Sequence, residues 1–193
     1  MKTVLLLVSH LGSSSNILFN VLNQNSRIQG FRTDRPYYNT DTLQYLTAYE
    51  HKLRNTAAIY MDELLHNFKF AAKDLYKICK FVYLIREARP SLNKIIARGY
   101  SQNAASDYYR YRLRRICEMA KRTPGAPLLT WDDMVSGRGL PLIEEYLNLK
   151  EPIKKISIGP EAPDVVEYNI AEKAQEAYER HFLYLKKFDL ISA

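Results

Sequence analysis

The chain has 193 residues, 47% hydrophobic and 25% charged, which argues against wholesale disorder and is enough for a single domain over residues 1–193 with a substantial core. Its 28 Lys and Arg outnumber its 21 Asp and Glu, giving a formal net charge of +7 at pH 7. This excess favours an anionic partner, which the charge alone leaves open among a nucleotide, a nucleic acid, a sulfated or phosphorylated substrate and a membrane surface.

Two cysteines, Cys79 and Cys117, stand among apolar neighbours and predict buried free thiols in a reducing compartment rather than a disulfide framework or a zinc cluster. The N-terminal apolar run, residues 4–8, is shorter than the core of a signal peptide. The sequence also contains no apolar stretch of the length that a membrane-spanning helix needs. We therefore expect a cytoplasmic protein with no metal site and no membrane span.

Short apolar segments alternate with helical patterns along the chain. The predicted strands, which have the character of buried strands in a parallel sheet, are residues 3–9, 57–61, 80–85 and 127–131. The predicted helices are residues 16–23, 43–53, 67–78, 91–98, 107–121, 140–149 and 166–190. This alternation predicts a three-layer α/β fold with a central, mainly parallel sheet flanked by helices. Ligands in such folds bind at the carboxyl ends of the strands.

The first strand runs into a loop with the features of a phosphate site, in the sequence VSHLGSSSNILFNVL of residues 8–22. Gly12 lets the backbone approach a ligand closely, and Ser13, Ser14 and Ser15 offer hydroxyl and amide donors at the positive end of the next helix. The loop lacks the GKS or GKT lysine of ATP and GTP hydrolases. A serine-rich helix cap is the alternative interpretation.

A second basic stretch, KFVYLIREARPSLNKIIARGYS at residues 80–101, begins with a predicted strand and continues into a predicted helix. Arg86 directly follows the strand, so it would stand at the carboxyl edge of the sheet, where a second phosphate can lie. Lys94 and Arg98 share a helix face at i, i+4 spacing. Ordinary solvated charges are the alternative for these residues, but the position of Arg86 after a buried strand favours function.

These segments, in this order, resemble the sulfotransferase family, whose members have a P-loop-like α/β fold and use 3′-phosphoadenosine-5′-phosphosulfate (PAPS) as donor. APLLTWDDMVSGRGLPLIEEYLNLKEPI at residues 126–153 is similar to the family's next landmark, and EAYERHFLYLKKFDL near the C-terminus is similar to its closing helix. The resemblance implies PAPS as co-substrate without a metal. It also implies a donor site formed by His10, Leu11, Gly12, Ser13, Ser14, Ser15 and Asn16 around the 5′-phosphosulfate, with Arg86 and Lys94 on the 3′-phosphate.

Three positions depart from the family's pattern, one of them Ala88, where the family commonly has a proline. His10 stands where the family has a Lys or Arg that stabilises charge on the leaving phosphate. A histidine can donate a hydrogen bond there and, if protonated, supply a charge, and a histidine merely packed at the end of the strand is the alternative. Lys94 stands where the family has a serine, and a lysine also binds phosphate.

The resemblance also implies a general base in IYMDELLHNFKF, residues 59–70, just past a predicted strand. Sulfuryl transfer needs a group that accepts the proton of the acceptor hydroxyl or amine. We rank Glu63 first, His66 second and Asp62 third. The alternative is that Asp62 caps a helix while the other two side chains face solvent.

The segment DYYRYRLRRICEMAKR, residues 107–122, interleaves tyrosines with basic residues, as nucleic-acid-binding proteins do. Its Leu113, Ile116 and Cys117 form one apolar stripe, however, which favours an amphipathic outer helix. We therefore do not expect a nucleic-acid partner.

The function predicted from the sequence is sulfuryl transfer from PAPS to a hydroxyl or amine of a small-molecule, carbohydrate or peptide acceptor. Two alternatives remain open. One is a nucleotide kinase-like P-loop phosphotransferase, disfavoured because no lysine follows Gly12 and no magnesium-binding acid is evident. The other is a non-catalytic nucleotide- or RNA-binding module that uses the basic helix.

Overall fold

The computed structural model describes residues 3–31, 37–38, 57–64, 69–70, 75–154 and 163–187. Its strands are β1 Thr3–Val8, β2 Ile28–Phe31, β3 Tyr37–Tyr38, β4 Ile59–Leu64, β5 Lys69–Phe70, β6 Cys79–Ile85 and β7 Leu128–Thr130. Its helices are α1 Ser15–Leu22, α2 Leu75–Ile78, α3 Ala88–Ile96, α4 Gln102–Ala120, α5 Trp131–Ser136, α6 Leu140–Leu147 and α7 Tyr168–Lys187. Among these described residues, no helix is long and apolar enough to cross a membrane.

Five strands form a parallel sheet in the order β2-β4-β1-β6-β7, while β3 and β5 form a separate parallel pair. The central strand is β1, in which Leu5, Leu6, Leu7 and Val8 are fully buried. A continuous apolar run is what a strand needs when both of its edges are paired and both of its faces are covered.

Alternate side chains of β1 enter two different cores, because successive residues of a strand point to opposite faces. Val4, Leu6 and Val8 pack in one cluster with residues of α3, α4 and α7. Leu5 and Leu7 pack in the other with residues of α1, α5 and α6. Helices therefore cover both faces of the sheet, and the predicted three-layer α/β fold is confirmed.

The parallel register brings four strand ends to one edge of the sheet. Val8 of β1 lies opposite Leu64 of β4 and Tyr83 of β6, and Ile85 of β6 lies opposite Thr130 of β7. The helix after β1 covers one face, whereas α3 and α4 after β6 cover the other. The connections thus diverge at β1, and α/β sheets bind ligands in the crevice that such a divergence opens.

Strand β4 is longer at its carboxyl end than predicted. It ends at Leu64 instead of residue 61, so Asp62 and Glu63 lie inside a strand and not beyond it. Their backbones pair with Leu6 and Leu7 of β1. Pairing with a long central strand outweighs the weak strand propensity of acidic residues.

Three other elements differ from the sequence-based prediction. Within the predicted helix 67–78, the described residues form a strand at Lys69–Phe70, paired with Tyr37–Tyr38, and a helix at Leu75–Ile78. The edge strand β2, with the sequence IQGF, was not predicted because Gln and Gly are poor strand formers. Trp131 begins α5 instead of ending β7, since Thr130 and Asp133 form a capping box there. The predicted helix 43–53 lies outside the described residues.

Candidate functional site

A cleft of about 470 Å³ opens at the carboxyl end of β1. Three segments contribute to it: the loop after β1 with the start of α1, the end of β4, and the end of α3 with the residues just beyond it. Its lining residues are His10, Leu11, Gly12, Ser14, Ser15, Asn16, Ile17, Glu63, Lys94 and Arg98. Most of the residues predicted from the sequence for donor binding therefore meet in one place.

The backbone of the loop is shaped by two residues in the left-handed region. Gly12 has a φ of 86°, and Ser14, the N-cap of α1, has a φ of 63°. Within the described part of the chain, the backbone N–H groups of Gly12, Ser14 and Asn16 donate no hydrogen bond. Amides gathered at a helix N-terminus make this loop suited to holding an anion.

Two cations converge on the Ser14 hydroxyl. Arg86 Nη1 donates to Ser14 Oγ at 3.1 Å, and Lys94 Nζ donates to the same oxygen at 2.6 Å. The indole of Trp131 lies against both, 4.2 Å from the Arg86 guanidinium and 5.7 Å from the Lys94 ammonium. Arg86 and Lys94 therefore both touch the loop.

A hydrogen-bond chain runs along the other side of the loop. Ser9 Oγ donates to Ser15 Oγ at 2.8 Å, and Ser15 Oγ donates to Glu63 Oε1 at 2.5 Å. Glu63 is only 8% exposed. It shares a strand face with Met61, which packs in the cluster that contains α1. The carboxylate is thereby brought to the first residue of α1.

The three candidate bases have different positions. Glu63 lines the cleft. Asp62 points to the opposite face of β4, is 1% exposed and accepts the Glu63 N–H at 2.8 Å, so the alternative of a helix-capping Asp62 is wrong. His66 lies outside the described residues.

His10 is fully buried and uses both ring nitrogens within the protein. The Arg86 N–H donates to His10 Nε2 at 3.2 Å, which leaves the proton on Nδ1, and Nδ1 donates to the Leu11 carbonyl at 2.9 Å. Burial, helped by the nearby charges of Arg112 and Arg86, lowers the pKa of His10 to about 4. The imidazole is neutral and braces the loop, which fits the alternative of a histidine packed at the end of the strand.

Helix α4 contributes three side chains that the sequence analysis did not assign to the site. The Tyr108 hydroxyl accepts the Leu11 N–H at 3.0 Å, and the Tyr109 hydroxyl donates to the Arg86 carbonyl at 2.6 Å. Arg112 donates to the carbonyls of Ser9 and Leu64, both at 2.9 Å. Tyr109 and Arg112 follow the same helical row as the buried Ile116, and that row was the available sequence signal.

Helix α3 packs closely against the loop. A Cβ added to Gly12 would lie 2.4 Å from the Ser91 carbonyl oxygen. Lys94, one turn after Ser91, reaches Ser14, and Arg98, one turn further, lines the mouth of the cleft. Asn93 points elsewhere and accepts the N–H groups of Val165 and Val166.

Comparison of the sequence with models of known protein families and with curated proteins gave no match.

Gly12→Ala should destabilise the protein more than Gly99→Ala, and chemical denaturation of both variants measures this. Both glycines have a positive φ, 86° and 92°, which costs a non-glycine residue about 1–2 kcal/mol. Only Gly12 has no room for a methyl group, whereas nothing lies within 4 Å of a Cβ at Gly99. We expect overpacking to add about 1–3 kcal/mol at Gly12. Equal losses would contradict the close contact with Ser91.

The buried, neutral His10 should make folding less stable in mild acid. Its pKa is about 4 in the folded chain and 6.5 in the unfolded one, so the unfolded state binds more protons between these values. The free energy of unfolding should fall by about 2 kcal/mol for this residue between pH 7 and pH 5, and its contribution is complete only above pH 6.5. Measuring the free energy of unfolding of wild type and His10→Gln at pH 7 and pH 5 isolates the contribution of this residue. Parallel losses in the two proteins would refute it.

Proposed function

We propose that this chain is a PAPS-dependent sulfotransferase that acts on a hydroxyl or amine of a small molecule, carbohydrate or peptide. The observation that carries the proposal is the meeting of Arg86 and Lys94 on Ser14, in a glycine-serine loop at the carboxyl end of β1. Two of the segments on which the sequence resemblance depends, the serine loop and the basic stretch of residues 80–101, are far apart in the chain and meet at this cleft. A bisphosphorylated nucleotide is a ligand whose charge suits it.

Donor binding follows from the chemistry of this cleft. The amides of Gly12, Ser14 and Asn16 would hold the phosphosulfate at the positive end of α1. The guanidinium of Arg86, 3% exposed and fixed against Trp131, would bind a phosphate through charge-assisted hydrogen bonds. Burial strengthens such contacts because water competes with them less.

Glu63 is the base in the proposed reaction. The Ser15 hydroxyl donates to one carboxylate oxygen and so orients the group at the wall of the cleft. An acceptor hydroxyl or amine bound there would give its proton to Glu63 while its oxygen or nitrogen attacks sulfur. Positioned proton transfer of this kind contributes roughly 10²–10⁴-fold to rate.

A kinase-like phosphotransferase is the second candidate, and one contact favours it. Ser15 begins α1, and Glu63 lies near the end of the neighbouring strand, 2.5 Å from its hydroxyl. P-loop phosphotransferases hold Mg²⁺ between a serine or threonine and an acid in comparable places. The described residues contain no cluster of three or more His, Cys, Asp or Glu side chains suited to a metal. Dependence of nucleotide binding on Mg²⁺ would distinguish the two reactions.

A nucleic-acid-binding module has less support. Tyr108, Tyr109 and Arg112, three of the residues that suggested it, point inward and hold the strand ends. They are therefore not part of a surface that could stack bases or neutralise a phosphate backbone.

Adenosine 3′,5′-bisphosphate should bind more tightly than adenosine 5′-phosphate or ATP, and calorimetric titration with and without Mg²⁺ tests this. Arg86→Ala should weaken binding of the bisphosphate by about 1.5–3 kcal/mol, as expected for a lost charge-assisted hydrogen bond.

Arg89→Ala is the matched control, because Arg89 is only three residues away but pairs with Asp164 at the surface. Its affinity for the bisphosphate should stay near that of wild type. Preference for Mg²⁺-ATP would favour the phosphotransferase, and an unchanged affinity in folded Arg86→Ala would remove Arg86 from the site.

Glu63→Gln should lower sulfuryl transfer to a responsive acceptor by at least 10²-fold and leave bisphosphate binding intact. The amide keeps an oxygen that can accept from Ser15 but cannot take up a proton. The control is Asp62→Asn, which alters the adjacent carboxylate on the opposite face of β4. Full activity in Glu63→Gln would move the base to another residue, with His66 the next to test.

A further inference from the structure

The loop of residues 10–15 lacks a lysine of its own, and His10 does not replace it. Both nitrogens of the buried imidazole are engaged with the backbone, at Leu11 and Arg86. The ring therefore cannot turn toward the cleft without breaking two hydrogen bonds. Any positive side chain that acts on an anion in this loop must come from another element.

Helix α3 supplies such a side chain. Its Ser91 carbonyl packs against Gly12, so that the next turn passes directly over the loop. Lys94 lies on that turn and reaches Ser14 Oγ at 2.6 Å, although 80 residues separate the two in sequence. Lys94 also lines the cleft, as Arg98 does four residues further on.

Arg86 and Lys94 differ in how freely their charged groups can contact an anion in the loop. The Arg86 guanidinium stacks on Trp131, and the Arg86 backbone is fixed by His10 and by Tyr109. Lys94 ends in a compact ammonium with three donors on a flexible stem. It can contact Ser14 and an anion at the same time, and it can follow charge that moves during a reaction.

We propose that Lys94 is the loop cation, the positive side chain that acts on a ligand in residues 10–15. It contacts the anion held by this loop and, in sulfuryl transfer, neutralises the oxygen of the leaving phosphate. The first part concerns any phosphate or sulfate in the loop. The second part rests on the proposed function. This role differs from the 3′-phosphate contact implied by the sequence resemblance.

The reaction step balances as follows. The acceptor oxygen or nitrogen forms a bond to sulfur, and the bond between sulfur and the 5′-phosphate oxygen breaks. The electron pair of the broken bond stays on that oxygen, so the 5′-phosphate of the departing adenosine 3′,5′-bisphosphate carries one more negative charge than it did in PAPS, while the sulfate charge leaves with the product. The acceptor proton passes to the Glu63 carboxylate. Lys94 keeps its proton and stabilises the new charge electrostatically.

Inorganic pyrophosphate, adenosine 5′-phosphate and adenosine 3′-phosphate, titrated separately, test the placement of Lys94. Lys94→Gln should weaken the first two by roughly 10-fold to 100-fold and change the third by less than about twofold. Lys94→Arg should recover part of the loss. Lys173→Gln is the charge-matched control, since it removes an exposed lysine of α7 and should leave all three affinities within about twofold.

The affinities of these ligands distinguish the possible roles of Lys94. Loss confined to adenosine 3′-phosphate would assign Lys94 to the 3′-phosphate and overturn the proposal. Unchanged pyrophosphate affinity in Lys94→Gln, or no pyrophosphate binding by the wild type, would also overturn it. If pyrophosphate binding depends on Lys94 but adenosine 3′,5′-bisphosphate does not bind, the loop cation stands and the sulfotransferase function fails.

Discussion

The geometry of the cleft depends on one buried guanidinium. Arg112 enters the sheet edge from α4 and donates to the carbonyls of Ser9 and Leu64, which follow β1 and end β4. Burial lowers the pKa of Arg112, and the two carbonyl dipoles offset part of the cost of burying its charge. Because the two carbonyls belong to neighbouring strands, this side chain braces the strand ends that carry the loop and Glu63, together with the Ser9 N–H, which donates to the Leu64 carbonyl at 3.1 Å.

Burial is the main reason that the pKa of His10 is lowered, and the Arg112 charge adds to this effect. Arg112 and Arg86 both lie near the imidazole, and each makes a further positive charge there unfavourable. The positive charges near the loop are therefore those of Arg86, Lys94 and Arg112. The neutral histidine holds the backbone of the loop in place. A loop arranged in this way keeps its positive field across the neutral pH range, whereas a histidine-based one would lose it.

The sequence was sufficient for features that depend on local pattern, and insufficient for those that depend on distant pairing. Apolar runs and helical spacing predicted the α/β fold, and strand–loop–helix order placed Ser14 and Arg86 at the sheet edge. The extension of β4 through Glu63 depends on pairing with β1, more than 50 residues earlier in the chain. The tautomer of His10 is set by a backbone amide 76 residues away, which no local spacing reveals.

The consecutive serines divide the cleft into two electrostatic halves. Ser14, in the left-handed conformation, gives its oxygen to the Arg86 and Lys94 cations, while Ser15 directs its hydrogen toward the Glu63 carboxylate. Each charged group thereby has a neutral hydroxyl as a partner in the loop. A hydroxyl contact contributes only about 1–3 kcal/mol, so a phosphate can replace it on the cationic side without disturbing the carboxylate on the other. A single glycine-serine turn thus keeps a carboxylate and two cations at one cleft and apart from each other, and the proposed sulfuryl transfer would use that separation.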